Sequence, residues 1–183
     1  EDLSRGLGDV YKRQIFETVL FRTPKDFRKP CELAVRGLDA LLDYQKYPVL
    51  AAEISTNNRR PLGIGIINFA YWLAKNDTNY SDPDLELVDE WAEAWSYYLI
   101  KASNELAKEK GACPKSLETR YGNGVVPSDT RKTDVDELVK HKERRKWKEL
   151  RKSLKEHGIR NSTLMALMPV SYTHLTLPTT VFV

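Results

Sequence analysis

Apolar residues recur through this chain at two different periods, and most of it reads as helix. From Cys31 to Gln45, Cys31, Ala34, Val35, Leu38, Leu41 and Leu42 share one stripe, while Glu32, Arg36, Asp39 and Asp43 lie on the other side. That spacing predicts a surface helix laid against a core, ended at Tyr47-Pro48, where proline biases the preceding residue away from the helical region. A second helix is expected from about Pro61 to Lys75, apolar nearly all round and therefore surrounded by protein. The third carries the clearest signals. Ser81-Asp-Pro-Asp84 supplies caps and a first-turn proline. Leu87, Trp91, Ala94, Tyr98, Ala102 and Leu106 follow at spacings of three or four, and Lys108, Lys110 and Gly111 form the C-terminal end. At 1.5 Å per residue this helix would be about 40 Å long. A turn-rich stretch from Cys113 to Asp129 precedes a polar helix, or pair of helices, over Val135–His157. Thr163 to Met168 then reads as a short buried strand halted by Pro169.

Composition narrows the class without changing this outline. Four Trp, nine Tyr and five Phe among 183 residues supply enough bulk to bury, which excludes intrinsic disorder. The longest apolar run, Leu62 to Ala74, is broken by Asn68 and is shorter than the roughly 18–20 residues a membrane span requires. Two cysteines build no disulfide scaffold, and no signal-peptide pattern opens the chain, so the expected compartment is the cytoplasm. The termini differ from the middle. Residues 1–14 have neither apolar period nor cap, and residues 170–183 contain no Asp, Glu, Lys or Arg. Both are read as non-native flanks, leaving 15–169 as part of a domain.

Candidate chemistry is sparse. Gly63-Ile-Gly65 lacks the third glycine of a dinucleotide fingerprint and the Gly-Lys-Ser/Thr of a P-loop, and is read as close helix packing. Cys31 and Cys113 have no CxxC and no histidine at ligand spacing, so no metal site is expected. Cys31 reads as a small hydrophobe on the apolar stripe. His141, His157 and His174 show no catalytic pattern. Residues 131–157 hold eleven Lys or Arg against six acids, which could track a nucleic-acid backbone. A solvated helix face with Trp147, Leu150 and Leu154 as its packing edge explains the same residues, and a single aromatic disfavours single-strand binding. An independent helical interaction or nucleic-acid-binding module using the basic face 131–155 is the alternative reading.

Four blocks carry a resemblance. Leu33-Ala-Val-Arg-Gly-Leu-Asp-Ala-Leu-Leu-Asp-Tyr-Gln45, Asn58-Arg-Arg-Pro-Leu-Gly-Ile-Gly-Ile-Ile-Asn-Phe-Ala70 and Leu99-Ile-Lys-Ala-Ser-Asn-Glu-Leu-Ala-Lys-Glu-Lys-Gly-Ala-Cys-Pro114 resemble the large subunit of class I ribonucleotide reductase. The fourth is similar to that family's signature: Trp147, Leu150, Gly158, Ile159, Arg160, Asn161, Met165, Ala166 and Pro169 stand in its order and spacing. The resemblance covers residues 28–169, with Pro61 where relatives usually carry Thr.

It implies an α/β fold, a helix-rich fragment of a ten-stranded α/β barrel with 163–168 as an inner strand. The family reduces ribonucleoside diphosphates to 2′-deoxyribonucleoside diphosphates. It uses a radical from the small-subunit metal centre, nucleotide effectors (ATP or dNTP), a large-subunit dimer and a thioredoxin- or glutaredoxin-type reductant. No residue here matches the family's catalytic Cys, Asn and Glu, and Val170-Ser-Tyr-Thr replaces its diphosphate loop. Pro169 alone would form substrate-pocket wall, while Trp147, Leu150, Gly158, Arg160, Asn161 and Ala166 would be mainly structural. The expectation is a fragment inactive alone, its strand open at both edges.

Overall fold

The computed structural model describes residues 14–17, 23–67, 69–140 and 142–167. The expectations for Met168, Pro169, His141, His174, residues 1–13 and the flank 170–183 lie outside the described residues.

The expected first helix is present as α1, Arg28–Tyr44. The chain enters through a 3-10 turn, Pro24–Phe27, where Thr23 N donates to the Asp26 carboxylate at 2.8 Å. Pro30 is tolerated because first-turn amides have no helical acceptor to lose. Cys31, Ala34, Val35, Leu38 and Leu42 are all 4% exposed or less, against 73% for Leu33 on the opposite side. One residue departs from the expected pattern: Asp39, assigned to the outer face, is completely buried.

A further helix, α2 (Leu50–Arg59), was not anticipated. Its apolar residues Leu50 and Ile54 are exposed and only Thr56 is buried, so it carries no apolar stripe to read. It ends where Arg60 adopts the left-handed conformation, φ 44°.

The helix expected over Pro61–Lys75 is corrected. Residues 62–64 are extended, Gly65–Ile67 is strand β2, and only Phe69–Lys75 is helical (α3). An all-apolar run has the same signature in a buried strand and a buried helix. Gly63 and Gly65 each disfavour helix by about 1 kcal/mol, and Ile64, Ile66 and Ile67 are β-branched. Available backbone partners decide the matter. Strand β1 (Gln14–Glu17) pairs with β2 in parallel. On the other side Ile64 bridges Met165, also in parallel: Ile64 N donates to Leu164 O at 2.8 Å and Ala166 N to Ile64 O at 3.1 Å. Residues 163–166 are thus extended as expected, but one of their edges is already taken.

Three parallel extended segments joined through helices are the signature of βαβ winding. The intervening chain holds α1 and α2 in the first connection, and α3, α4 (Leu85–Lys110) and α5 (Trp147–His157) in the second. Helix α4 has its expected aspartate cap and terminal glycine, Asp84 Oδ1 accepting from Leu87 N at 3.1 Å and Gly111 following at φ 87°, but Pro83 lies before the cap and not in the first turn as expected. It is buried beyond its expected stripe, since Trp95, Tyr97, Leu99 and Ile100 are 7% exposed or less. Helices α1 and α5 both pack against it. Phe27 and Trp72 meet Trp91 edge-on at ring separations of 5.2 and 5.1 Å, a geometry that favours aromatic pairs.

Of the polar helix, or pair of helices, expected over Val135–His157, α-helix is found among the described residues only over Trp147–His157. A 3-10 turn spans Thr133–Glu137, and α-helix begins only at Trp147. Continuous helix would stack Lys140 on Arg144 and Arg144 on Lys148, like charges one turn apart. Instead the backbone amides of Arg144 and Arg145 turn onto Glu93 Oε1 at 2.8 and 3.2 Å.

Candidate functional site

Five of the signature residues, Trp147, Gly158, Ile159, Arg160 and Asn161, fall at three buried polar joints along α4. The first fixes α5. Glu93 is 4% exposed, and its Oε1 accepts from Trp147 Nε1 at 2.8 Å while Oε2 accepts from Arg145 Nη1 at 2.6 Å. Trp147, Leu150 and Leu154 are buried, as the packing-edge reading expected, and Trp147 meets Tyr97 edge-on at 5.1 Å.

The second joint closes the end of α5. Gly158 stands at φ 70°, ψ −160°, a region open essentially only to glycine. A Cβ there would lie 2.7 Å from Ser116 Oγ and 2.9 Å from the Ala112 Cβ. Asn104 Nδ2 donates to Gly158 O at 2.8 Å, and Ser153 Oγ donates to Asn104 Oδ1 at 2.6 Å. Ile159 N, in turn, donates to Ser116 Oγ at 3.0 Å.

The third joint lies where the two neighbouring strands start. Asp39, Asn161 and Ser103 are fully buried and Arg60 is 5% exposed. Asp39 Oδ1 accepts from Arg60 Nε at 2.7 Å and from Asn161 Nδ2 at 3.0 Å, and Arg60 Nη2 donates to Asp39 O at 2.8 Å. Asn161 Nδ2 also donates to Arg60 O at 3.1 Å, while Asn161 Oδ1 accepts from Ser103 Oγ at 2.8 Å. Arg160 Nε approaches Asp39 Oδ2 at 3.4 Å. Burial works against the Arg60 charge, but hydrogen bonds to Asp43 and Asp39 outweigh it and hold the guanidinium above its ordinary range. The same bond from Arg60, at 2.7 Å, keeps the Asp43 carboxyl below its usual range. Charges this deep are tolerated only when paired and hydrogen-bonded.

Arg160 and Asn161 were named from sequence; Asp39, Arg60, Glu93, Ser103 and Asn104 were not. A signal existed for one pair. Asp39 and Asp43 stand four apart on one helix, a repulsive arrangement that calls for a cation between them, and Arg60 fills that place. The others sit on α4 without any spacing that marks them.

Nothing in the geometry equips the cysteines for chemistry. Cys31 Sγ is buried, 4.0 Å from Trp95 O, and burial pushes both the Cys31 and Cys113 thiols up from the usual range. Reactive cysteines need the opposite. Among the described residues, no group of three or more His, Cys, Asp or Glu side chains is placed to hold a metal ion. Gly63 and Gly65 lie on the extended segment and strand, not in a helix as expected. The basic stretch is less open than its composition suggests. Arg131 pairs with Asp136, Arg144 with Asp89, Arg145 with Glu93, and Arg151 with Asp129 and Glu143. Among the described residues, no helix is long and apolar enough to cross a membrane.

Comparison with known proteins identifies the scaffold. Residues 15–179 match the model of the ribonucleotide reductase barrel domain. The chain is 56% identical over 137 residues to the ribonucleoside-diphosphate reductase subunit alpha of Haemophilus influenzae, covering 74% of this chain and 18% of that protein. It is 57% identical over 129 residues to ribonucleoside-diphosphate reductase 1 subunit alpha of Salmonella typhimurium, covering 70% and 17%, and 56% identical to that of Escherichia coli over the same length. The chain thus spans about a fifth of the length of the curated relatives it matches. With parallel strands joined through helices, Trp147, Gly158 and Asn161 held at buried joints and this level of identity, the chain belongs to the ribonucleotide reductase family, within its barrel domain.

Proposed function

We propose that this chain is an inner section of the catalytic barrel of a ribonucleoside-diphosphate reductase large subunit, the protein that converts ribonucleoside diphosphates to 2′-deoxyribonucleoside diphosphates in the cytoplasm for DNA synthesis. The observation that carries the reading is the 56–57% identity to alpha subunits across about three quarters of the chain. Three parallel extended segments linked through helices support it, because a parallel strand set needs helices on its outer face.

In this reading residues 14–17, 62–67 and 163–168 are neighbouring staves of a ten-stranded barrel, and the helices clad its outside. The small subunit holds the metal centre, and its radical supplies the oxidising power that opens the ribose C–H bond. This chain's share is to hold scaffold in place. Trp147, Leu150 and Gly158 bring α5 to its end, Arg160 and Asn161 pin the strand that follows, and Ala166 pairs with Ile64. That strand leads to Met168-Pro169, where Pro169 would border the substrate. The dimer partner, dithiol reductant and nucleotide effectors belong, in this reading, to the whole subunit. A cleft of about 560 Å³ lies beside residues 162–165, with Arg59 and Arg120 in its lining.

The test is a transplant. Residues 28–167 replace the matching segment of the Haemophilus influenzae alpha subunit, and reduction of a ribonucleoside diphosphate is followed with the cognate small subunit and a dithiol reductant. Turnover within about tenfold of the parent enzyme is expected. A chimera that assembles with the small subunit but does not turn over sinks the reading.

A further inference from the structure

We propose that Asp39, on helix α1, is a positioning residue that sets the register of residues 163–166 against 62–64, and through it the placement of the diphosphate-binding segment that follows the strand in the whole subunit. The inference rests on the reading above, because it needs that strand to lead into the substrate site.

The geometry singles out this carboxylate. The two strands leave the joint together: Arg60 is two residues before Leu62, Asn161 is two before Thr163, and Asp39 Oδ1 accepts from both side chains, at 2.7 and 3.0 Å. Asn161 closes the arrangement by donating to Arg60 O at 3.1 Å. The strand bonds begin at once, Leu62 N donating to Thr163 O at 3.0 Å. Hydrophobic pattern alone would specify this register weakly. The pairing is short, and its 62–67 side is glycine-rich at Gly63 and Gly65, the kind prone to slip. A buried, directional pair of bonds to one acceptor does not slide, because a one-residue shift would strand either the carboxylate or the amide without a partner. The left-handed backbone of Arg60, φ 44°, is the local strain that this bonding holds in place.

The experiment uses the chimera and separates positioning from simple destabilisation. Loss of folded protein lowers kcat at unchanged KM, whereas a displaced diphosphate segment raises KM. Asp39→Asn keeps the size and removes the charge, and is expected to raise KM for the ribonucleoside diphosphate at least tenfold, with kcat within threefold of the unmodified chimera. A KM within twofold overturns the proposal, whatever happens to kcat. If Asp39→Asn does not yield folded protein, Ser103→Ala, which removes the donor to Asn161 Oδ1, is expected to raise KM two- to fivefold, and an unchanged KM has the same consequence. An unmodified chimera that is inactive counts against the proposed function instead. Asp39 is then judged by amide exchange: Asp39→Asn should accelerate exchange at Ala166 at least tenfold relative to Leu154, and an unchanged ratio overturns the inference.

Discussion

Single residues here do their work by satisfying backbone and side-chain polar groups that helix packing has cut off from water. Glu93 is the clearest case, serving two backbone amides, an indole and a guanidinium from one buried position on α4. Gly158 is the clearest backbone case. Alanine there would need a conformation costing about 1–3 kcal/mol and would meet Ser116 Oγ at 2.7 Å, adding about 1–3 kcal/mol of overpacking. Gly158→Ala is therefore expected to destabilise the chain by about 2–6 kcal/mol, read as a lower urea midpoint at unchanged slope. A midpoint within error of the original would show that Ser116 and Ala112 move aside freely. At this scale the sequence was partly legible. Gly158, Arg160 and Asn161 announced themselves through a family pattern. The helix period places Asp39 toward solvent, and its burial is made tolerable by Arg60, Asn161 and Arg160, which arrive from 21 to 122 residues away.

At the scale of elements, the contrast between α4 and the 62–75 run is instructive. Helix α4 was readable end to end because cap, stripe and terminal glycine agree, and local signals that agree rarely mislead. The run from Leu62 to Ala74 has no polar face, so its period carries no information, and backbone partners far away in sequence chose strand for its first part. Elements are also held by ion pairs whose strength depends on pH. Arg151 on α5 bonds Asp129 and Glu143, and these bonds keep both carboxyls below their ordinary range. A carboxyl depressed in the folded state stabilises it above the unfolded pKa, and that stability is lost as pH falls through the folded value. Arg151→Gln is expected to lower stability at pH 7 and to flatten its loss below about pH 4, where unfolded carboxylates titrate. Parallel curves for variant and original from pH 7 down to 2, by urea denaturation, would rule out that role for the two pairs.

For the molecule as a whole, three parallel segments form a sheet far too narrow to close. One edge of 163–166 is covered by Ile64, a better-partnered state than the two bare edges the sequence suggested, and no further strand pairs with that segment among the described residues. None of the 183 residues matches the family's catalytic Cys, Asn and Glu, and both cysteines are buried with raised thiols. By themselves they are expected to produce no deoxyribonucleotide when mixed with a bacterial small subunit and dithiol, as measured by product chromatography; turnover above the no-protein control would require a catalytic group outside those described.

What the sequence determined by itself is everything written within a few turns of chain: α1 and α4, the packing edge of α5, the turn-rich 113–129 stretch and the membership carried by four ordered blocks. Periodicity and capping act over distances of three or four residues, so they survive without tertiary context. The structure alone decided which apolar run became strand, where the basic stretch stopped being helix, and that a carboxylate on α1 ties two strands together. Each of these depends on a hydrogen-bond partner supplied from elsewhere in the chain, up to 122 residues away for Asp39 and Asn161, and a buried polar group takes its identity from the partner it finds.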